Sequence, residues 1–390
     1  MNILIVGADS TTGYREFFEN FLLPNKPCIF DTSVTKDWPC RETWTLNDAP
    51  HFEWLKDHFG DCKVPVANCN KRYYNAQQKD EMSFNSYLDY WIDFRNNNYS
   101  NEMPLLYLKD WHCTKSFPST SIYYVPPYFA SDWLNEYYLN NPNLEDDYMF
   151  VYMGPKGTWT PLHADVFTSY SWSFNVVGKK RWLLFPPGQE DCLRNINGNL
   201  VYDVMSMDSN KIMEYDQSNN KIVKIDIVQE SGEIIFVPSG WHHQVWNLED
   251  TISINHNWLN GCTILNVWSS LQRELTAVMK EIKDCMDMED WAMHCQIMLK
   301  ASFGMDYFQY YELLSFIAEK RINSVINNVP VVTFERWQLG KNHCLFDLQR
   351  IKSALELLIN DAQEREISSL LWENNQAHVL LQKVNEVLIV

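Results

Sequence analysis

Thr160-Pro-Leu-His163-Ala-Asp165 gathers a hydroxyl, an imidazole and a carboxylate within six residues, and Ser239-Gly-Trp-His242-His243 offers two more imidazoles, 243 − 163 = 80 residues on. On an extended strand side chains two apart point the same way, so His163 and Asp165 can address one point in space. A histidine from a distant strand would complete a 2-His-1-carboxylate facial triad, which suits Fe(II) and leaves three coordination positions open. A bidentate 2-oxo acid can fill two of these and O2 the third. The residues alone leave open which of His242 and His243 is the third ligand, and short His-x-Asp matches also arise by chance. Between the two motifs lies Lys179-Lys180-Arg181. An inward lysine there would receive the far carboxylate of a 2-oxo acid in a dry interior. Gly178-Lys179-Lys180 reads equally as a charged turn, and alternation does not decide which lysine faces in.

These residues need strands to hold them. Between about 147 and 260 short apolar runs are punctuated by Gly, Pro, Asn and Asp, a pattern of closely spaced strands. Strands are expected at Tyr148 to Met153, Tyr170 to Val177, Arg181 to Phe185, Gly232 to Val237 and Thr251 to Trp258. In the second, Trp172, Phe174 and Val176 alternate with Ser171, Ser173 and Asn175, giving one greasy and one polar face. An all-β barrel or jelly roll follows. Residues 1–145 read as a mixed region of short helices and irregular segments packed on that core, broken by Asp-Trp-Pro and Tyr-Val-Pro-Pro. A helix is expected from Tyr14 to Leu23. Gly7 to Gly13 lacks the G-x-G-x-x-G spacing of a dinucleotide loop. Beyond 260 the apolar period lengthens: Ile264, Trp268, Leu271, Leu275, Val278 and Ile282 mark one face of a helix. Further helices are expected near 288–300, 306–326, 345–363 and 370–388. The fold class is therefore α+β: a mainly β core at 146–260 between a mixed region (1–145) and a helical region (261–390). The last region would pack on the barrel or pair two chains as a homodimer.

At 390 residues the chain has room for one large or two ordinary domains of roughly 150 residues each. With 46% apolar residues and 16 Trp it has ample core material. Fifty acidic against 32 basic side chains give a net charge of −18, which disfavours phosphate backbones and anionic lipid surfaces. Neither nucleic acid nor membrane is an expected partner. Ten cysteines with no C-x-x-C pair fit free thiols in a reducing compartment. Met1 to Gly7 has no basic n-region and too short an apolar run for a signal peptide, so a cytoplasmic location is expected.

The ordered motifs carry a family resemblance. Thr160-x-x-His163-x-Asp165, Gly178-x-Lys180-Arg181-Trp182-x-x-Phe185-Pro186-Pro187, Gly232-Glu233-x-x-Phe236-Val237-Pro238-x-Gly240-Trp241-His242-His243 and Ile252-x-Ile254-Asn255-x-Asn257-Trp258 resemble a JmjC domain. More narrowly they are similar to the small JmjC hydroxylases of the asparaginyl- and lysyl-hydroxylase type. Phe17-Phe18-Glu19, Leu23 to Cys28, Val64 to Cys69 and Trp172-Ser173-x-Asn175-Val176 resemble a lysyl hydroxylase member. The likeness in motifs covers about residues 14–260.

The resemblance implies a double-stranded β-helix, the cupin-like jelly roll of JmjC proteins, with iron held by His163, Asp165 and His243. It implies that His242 faces elsewhere, that Lys180 anchors 2-oxoglutarate with help from Thr160, and that Lys179 is a solvent residue. Tyr107 matches a position in the cosubstrate pocket and Asn257 one near the metal. Ser173 and Asn255 depart from a related hydroxylase, which has an amide and a Thr there. The implied cofactors are Fe(II), 2-oxoglutarate and O2, and the implied reaction is hydroxylation of a lysine carbon in a eukaryotic translation termination (release) factor. N-methyl-lysine demethylation and a non-enzymatic JmjC scaffold are the alternatives.

Overall fold

The structure is a computed structural model that describes residues 4–6, 13–144, 147–195, 197–206, 222–368 and 375–389. The stretch from Gly7 to Thr12, and residues 370–374 of the last expected helix, lie outside the described residues. The chain divides into two compact units: one of 1–124, 148–165 and 171–256, the other of 125–147, 166–170 and 257–390. Residues 125–147 therefore group with the C-terminal helices, whereas the sequence pattern placed them with the N-terminal region.

The first unit is built on two sheets. The strands in chain order are β1 (Leu4–Val6), β2 (Cys28–Phe30), β3 (Lys63–Tyr73), β4 (Ala76–Ser83), β5 (Leu106–Trp111), β6 (Met149–Gly154), β7 (Trp159–His163), β8 (Tyr170–Val177), β9 (Lys180–Phe185), β10 (Ile225–Gln229), β11 (Ile234–Val237), β12 (His242–Asn247) and β13 (Thr251–Trp258). Nine form one sheet in the order β1-β2-β11-β8-β13-β6-β5-β3-β4, and four form a second in the order β10-β9-β12-β7. Between the sheets lie Trp182, Leu184 and Val245 of the small sheet with Ile235 and Val237 of the large one. The cupin-like, mixed α+β jelly roll stands as expected, and the strands expected at β6, β8, β9, β11 and β13 form within a residue or two of their bounds.

Strand β8 shows how alternation becomes packing. Its greasy face meets Trp38, whose ring lies 4.5 Å from Phe174 and 6.2 Å from Trp172. Its polar face is buried as well, Ser173 and Asn175 included, because it points into the barrel rather than to solvent. The N-terminal region is more regular than its punctuation suggested. The long hairpin β3–β4 continues the large sheet through β5.

In the second unit helices run at Ile264–Glu281, Trp291–Phe303, Tyr307–Asn327, Lys341–Glu364 and Gln376–Ile389. Ile264, Trp268, Leu271, Leu275 and Val278 are all buried, the stripe read from the sequence. Arg321, wholly buried, donates to both oxygens of Glu136 (2.9 and 2.8 Å) and to Asp347 (2.8 Å), tying the segment at 125–147 to two of these helices.

Candidate metal and cosubstrate site

Strand β7 is the edge of the small sheet, where a proline costs no ladder hydrogen bond, and it contains Pro161. Opposite β12, Thr160 pairs with Val245 and His163 with His243, so three steps on β7 face two on β12. The extra residue is a β-bulge. Simple alternation would set Thr160 and His163 on opposite faces; the bulge brings both to the face of Val245 and His243. The displaced Leu162 amide donates instead to the carbonyl of Tyr202 at 3.1 Å.

His163, Asp165 and His243 converge, each offering one ligand atom, all within 4.8 Å of one another. The two imidazole centroids are 4.3 Å apart. His163 Nδ1 donates to the Pro161 carbonyl (2.8 Å) and His243 Nδ1 to that of Trp241 (3.0 Å). A carbonyl only accepts, so each bond fixes the proton on Nδ1 and leaves the Nε2 lone pair for a metal. Ser171 Oγ donates to Asp165 Oδ2 at 2.7 Å and orients that carboxylate. Desolvation and the facing His243 imidazole push His163 down to about 3, so it stays neutral at physiological pH. Two imidazoles and one carboxylate, all on one side, are the donor set for a divalent ion with open positions.

Lys180 points into the same barrel with only 2% of its surface exposed. Its ammonium donates to Ser253 Oγ at 2.6 Å and lies 5.8 Å from the Tyr152 ring. Burial, with a further push from Lys109, lowers it to about 7. No carboxylate pairs with it among the described residues, so it is a cation held where an anion is missing. Along the β9–β12 ladder Lys180 stands opposite Asn247 and Leu184 opposite His243. Four residues of strand, about 13 Å, thus separate Lys180 from the imidazole pair. An extended lysine side chain and a five-carbon diacid together span that interval.

The remaining expected residues divide. Tyr107 is buried against Tyr152 (centroids 6.1 Å apart), and burial holds its phenol far above the ordinary value. Thr160 is half-buried on the inner face. Asn257 Nδ2 donates to Ser169 Oγ at 3.1 Å, both within the second unit. His242 lies on the opposite face of β12 from His243, and Lys179 is half-buried, outside the barrel, and pairs with Glu230 (3.3 Å) and Glu249 (3.8 Å). Gly178, at φ +82°, makes the turn that aims the two lysines apart; a Cβ there would sit 2.2 Å from the Asp250 carbonyl oxygen. Sequence reasoning missed Ser171, Tyr152 and the pair Lys109–Asp110. The signal for the last was present: strict alternation from Tyr107 and Lys109 would send Asp110 to the greasy face.

A family profile described as a cupin-like domain matches residues 14–264. The chain belongs to this cupin-like family in its JmjC branch. Its relatives include the zebrafish (Danio rerio) protein named "2-oxoglutarate and iron-dependent oxygenase JMJD4", 48% identical over 89% of this chain and 84% of the relative. The human protein of the same name is 42% identical over 98% and 91%. An Arabidopsis thaliana protein named "Arginine-specific demethylase JMJ20" is 42% identical over 77% and 67%. The chain is accordingly a 2-oxoglutarate and iron-dependent oxygenase of the JMJD4 type, with Fe(II), 2-oxoglutarate and O2 as its cofactors.

Proposed function

We propose that this oxygenase hydroxylates a lysine side-chain carbon in a translation termination (release) factor, with Fe(II) held by His163, Asp165 and His243. The observation that carries the reading is the pairing of that convergent cluster with Lys180, a buried ammonium with no carboxylate partner among the described residues. Lys180, together with Thr160 and Tyr107, binds the far carboxylate of 2-oxoglutarate, and Asn257 serves near the metal. The bound iron, with 2-oxoglutarate and O2, supplies the oxidant that places one oxygen atom in a C–H bond and leaves succinate and CO2. The chain's own groups orient the reactants: the Nδ1 bonds fix both imidazoles, Ser171 fixes Asp165, and the surrounding apolar core excludes water. The net charge of −18 favours encounter with a basic target.

The test is a reaction of the iron-loaded chain with purified release factor. The expected result is succinate together with a gain of one oxygen on a lysine-bearing peptide by mass spectrometry, both lost in His163→Ala. A second reading, N-methyl demethylation, is favoured by the name of the Arabidopsis relative. It expects loss of a methyl group and formaldehyde in the same assay. Binding of the partner without turnover would leave the scaffold reading. The ten free cysteines support a reducing compartment such as the cytoplasm. None of the described helices is long and apolar enough to cross a membrane. A homodimer through the C-terminal helices is supported by exposed Met293 and Ile297 on one of them, and light scattering of the purified chain tests it.

A further inference from the structure

The inner wall of the barrel carries a second bulge, on β5. Leu108 pairs with Met153 and Trp111 with Val151, so two residues, Lys109 and Asp110, stand opposite one, Tyr152. Both flanking residues face the apolar side, Leu108 buried and Trp111 against Phe59 and Phe84. Asp110 adopts a left-handed backbone (φ +58°), which a short polar side chain tolerates and which turns its carboxylate inward. There it accepts a hydrogen bond from the Tyr152 hydroxyl at 2.6 Å, on the ring that lies 5.8 Å from the Lys180 ammonium. Strain spent to aim one carboxylate at a binding pocket points to a ligand for it.

That carboxylate already holds an ε-ammonium. Lys79 of β4 reaches across β3 and forms an ion pair with Asp110. Lys79 lies opposite Ala67, which lies opposite Tyr107, so it shares the pocket-facing side of the sheet. Both partners are partly open to solvent, about half of the Lys79 side chain and a third of that of Asp110. The neighbouring Lys109 is buried on the same inner wall, its ammonium 5.7 Å from the Tyr107 ring.

We propose that Asp110, braced by Tyr152, is the receptor for the ε-ammonium of the substrate lysine, and that Lys79 occupies it until substrate displaces it. The inference rests on the lysyl-hydroxylase reading and names the residue that selects the cation. The experiment measures the KM for purified release factor and for 2-oxoglutarate in the iron-loaded full chain and its variants. Asp110→Asn removes the charge and keeps an acceptor for Tyr152, so the KM for release factor rises by about tenfold or more, the worth of a charge-assisted hydrogen bond. Lys79→Met removes the competitor, so the same KM falls, and it falls less in the Asp110→Asn background. A wild-type chain that adds no oxygen to release factor overturns the reading and the inference together. A wild-type chain that does so, with an unchanged KM in Asp110→Asn, overturns the inference alone. Equal rises in KM for both single variants also overturn it, because they show a structural ion pair. Should Asp110→Asn fail to fold, Lys79→Met decides: a lowered KM supports the proposal and an unchanged or raised one refutes it.

Discussion

Replacing Lys180 by methionine should make the cosubstrate-free chain more stable while abolishing its response to 2-oxoglutarate. An unfolded lysine keeps its proton up to an ordinary value of 10.5, whereas the buried Lys180 releases it at about 7. That displacement corresponds to about 5 kcal/mol against folding wherever the unfolded chain is protonated and the folded group must be charged. Between those two values the unfolded chain binds more protons, so stability rises with pH; the penalty is full below pH 7 and gone above 10.5. Methionine matches the length of the chain and removes the charge, taking the Lys180 donor from Ser253 Oγ at a cost of about 1–2 kcal/mol. The net gain is on the order of 3–4 kcal/mol where the penalty is full, enough to raise the melting temperature by several degrees. Thermal melts of both proteins at pH 7 and pH 9 measure it, and their difference cancels every titration they share. Excess 2-oxoglutarate with Mn(II) should raise the wild-type melting temperature, because a ligand that binds only the folded form stabilises it, and should leave Lys180→Met unmoved. A variant that melts below wild type at pH 7 without cosubstrate refutes the reasoning, since the ammonium would then have a partner that stabilises it.

Asp165→Ala should lower bound metal well below one ion per chain by elemental analysis and eliminate succinate formation. Gly178→Ala forces a side chain into a left-handed turn against the Asp250 carbonyl. It should raise the KM for 2-oxoglutarate several-fold by shifting the start of β9; an unchanged KM would show that the turn does not position Lys180. Arg321→Ala strands the buried carboxylates of Glu136 and Asp347 and should cost about 3–5 kcal/mol in urea unfolding, whereas Arg321→Met together with Glu136→Gln should recover part of that loss.

Much of the site was legible because its residues follow the pleat. His163 and Asp165 sit two apart, and a second imidazole sits on a separate apolar run. Pleat logic stops where register begins. Whether Lys179 or Lys180 faces inward depends on a turn at Gly178 and on pairing with β12, neither of which alternation encodes. Thr160 and His163 share a face only through the bulge at Pro161–Leu162, and Lys109 and Asp110 only through the bulge opposite Tyr152. Bulges belong to two strands at once, so one strand's residues cannot specify them. Alternation divided β8 into a greasy and a polar face without saying which points into the barrel, for a similar reason: inward and outward are set by closure of the sheets. The hairpin β3–β4 was hidden by its exposed, charged residues, which carry little apolar period.

The imidazole pair sits where the small sheet is weakest. His163 and His243 are directly opposite each other on β7 and β12, and the outer flank of β7 carries no further strand among the described residues, meeting instead Gln77 and Cys69 at its Trp159 carbonyl and the Tyr202 carbonyl at its Leu162 amide. A divalent ion gripping both rings therefore stitches the outermost strand to its neighbour. Loading the ion should slow amide hydrogen exchange along β7 more than along β9, so that cation occupancy is written into the local breathing of the barrel rim.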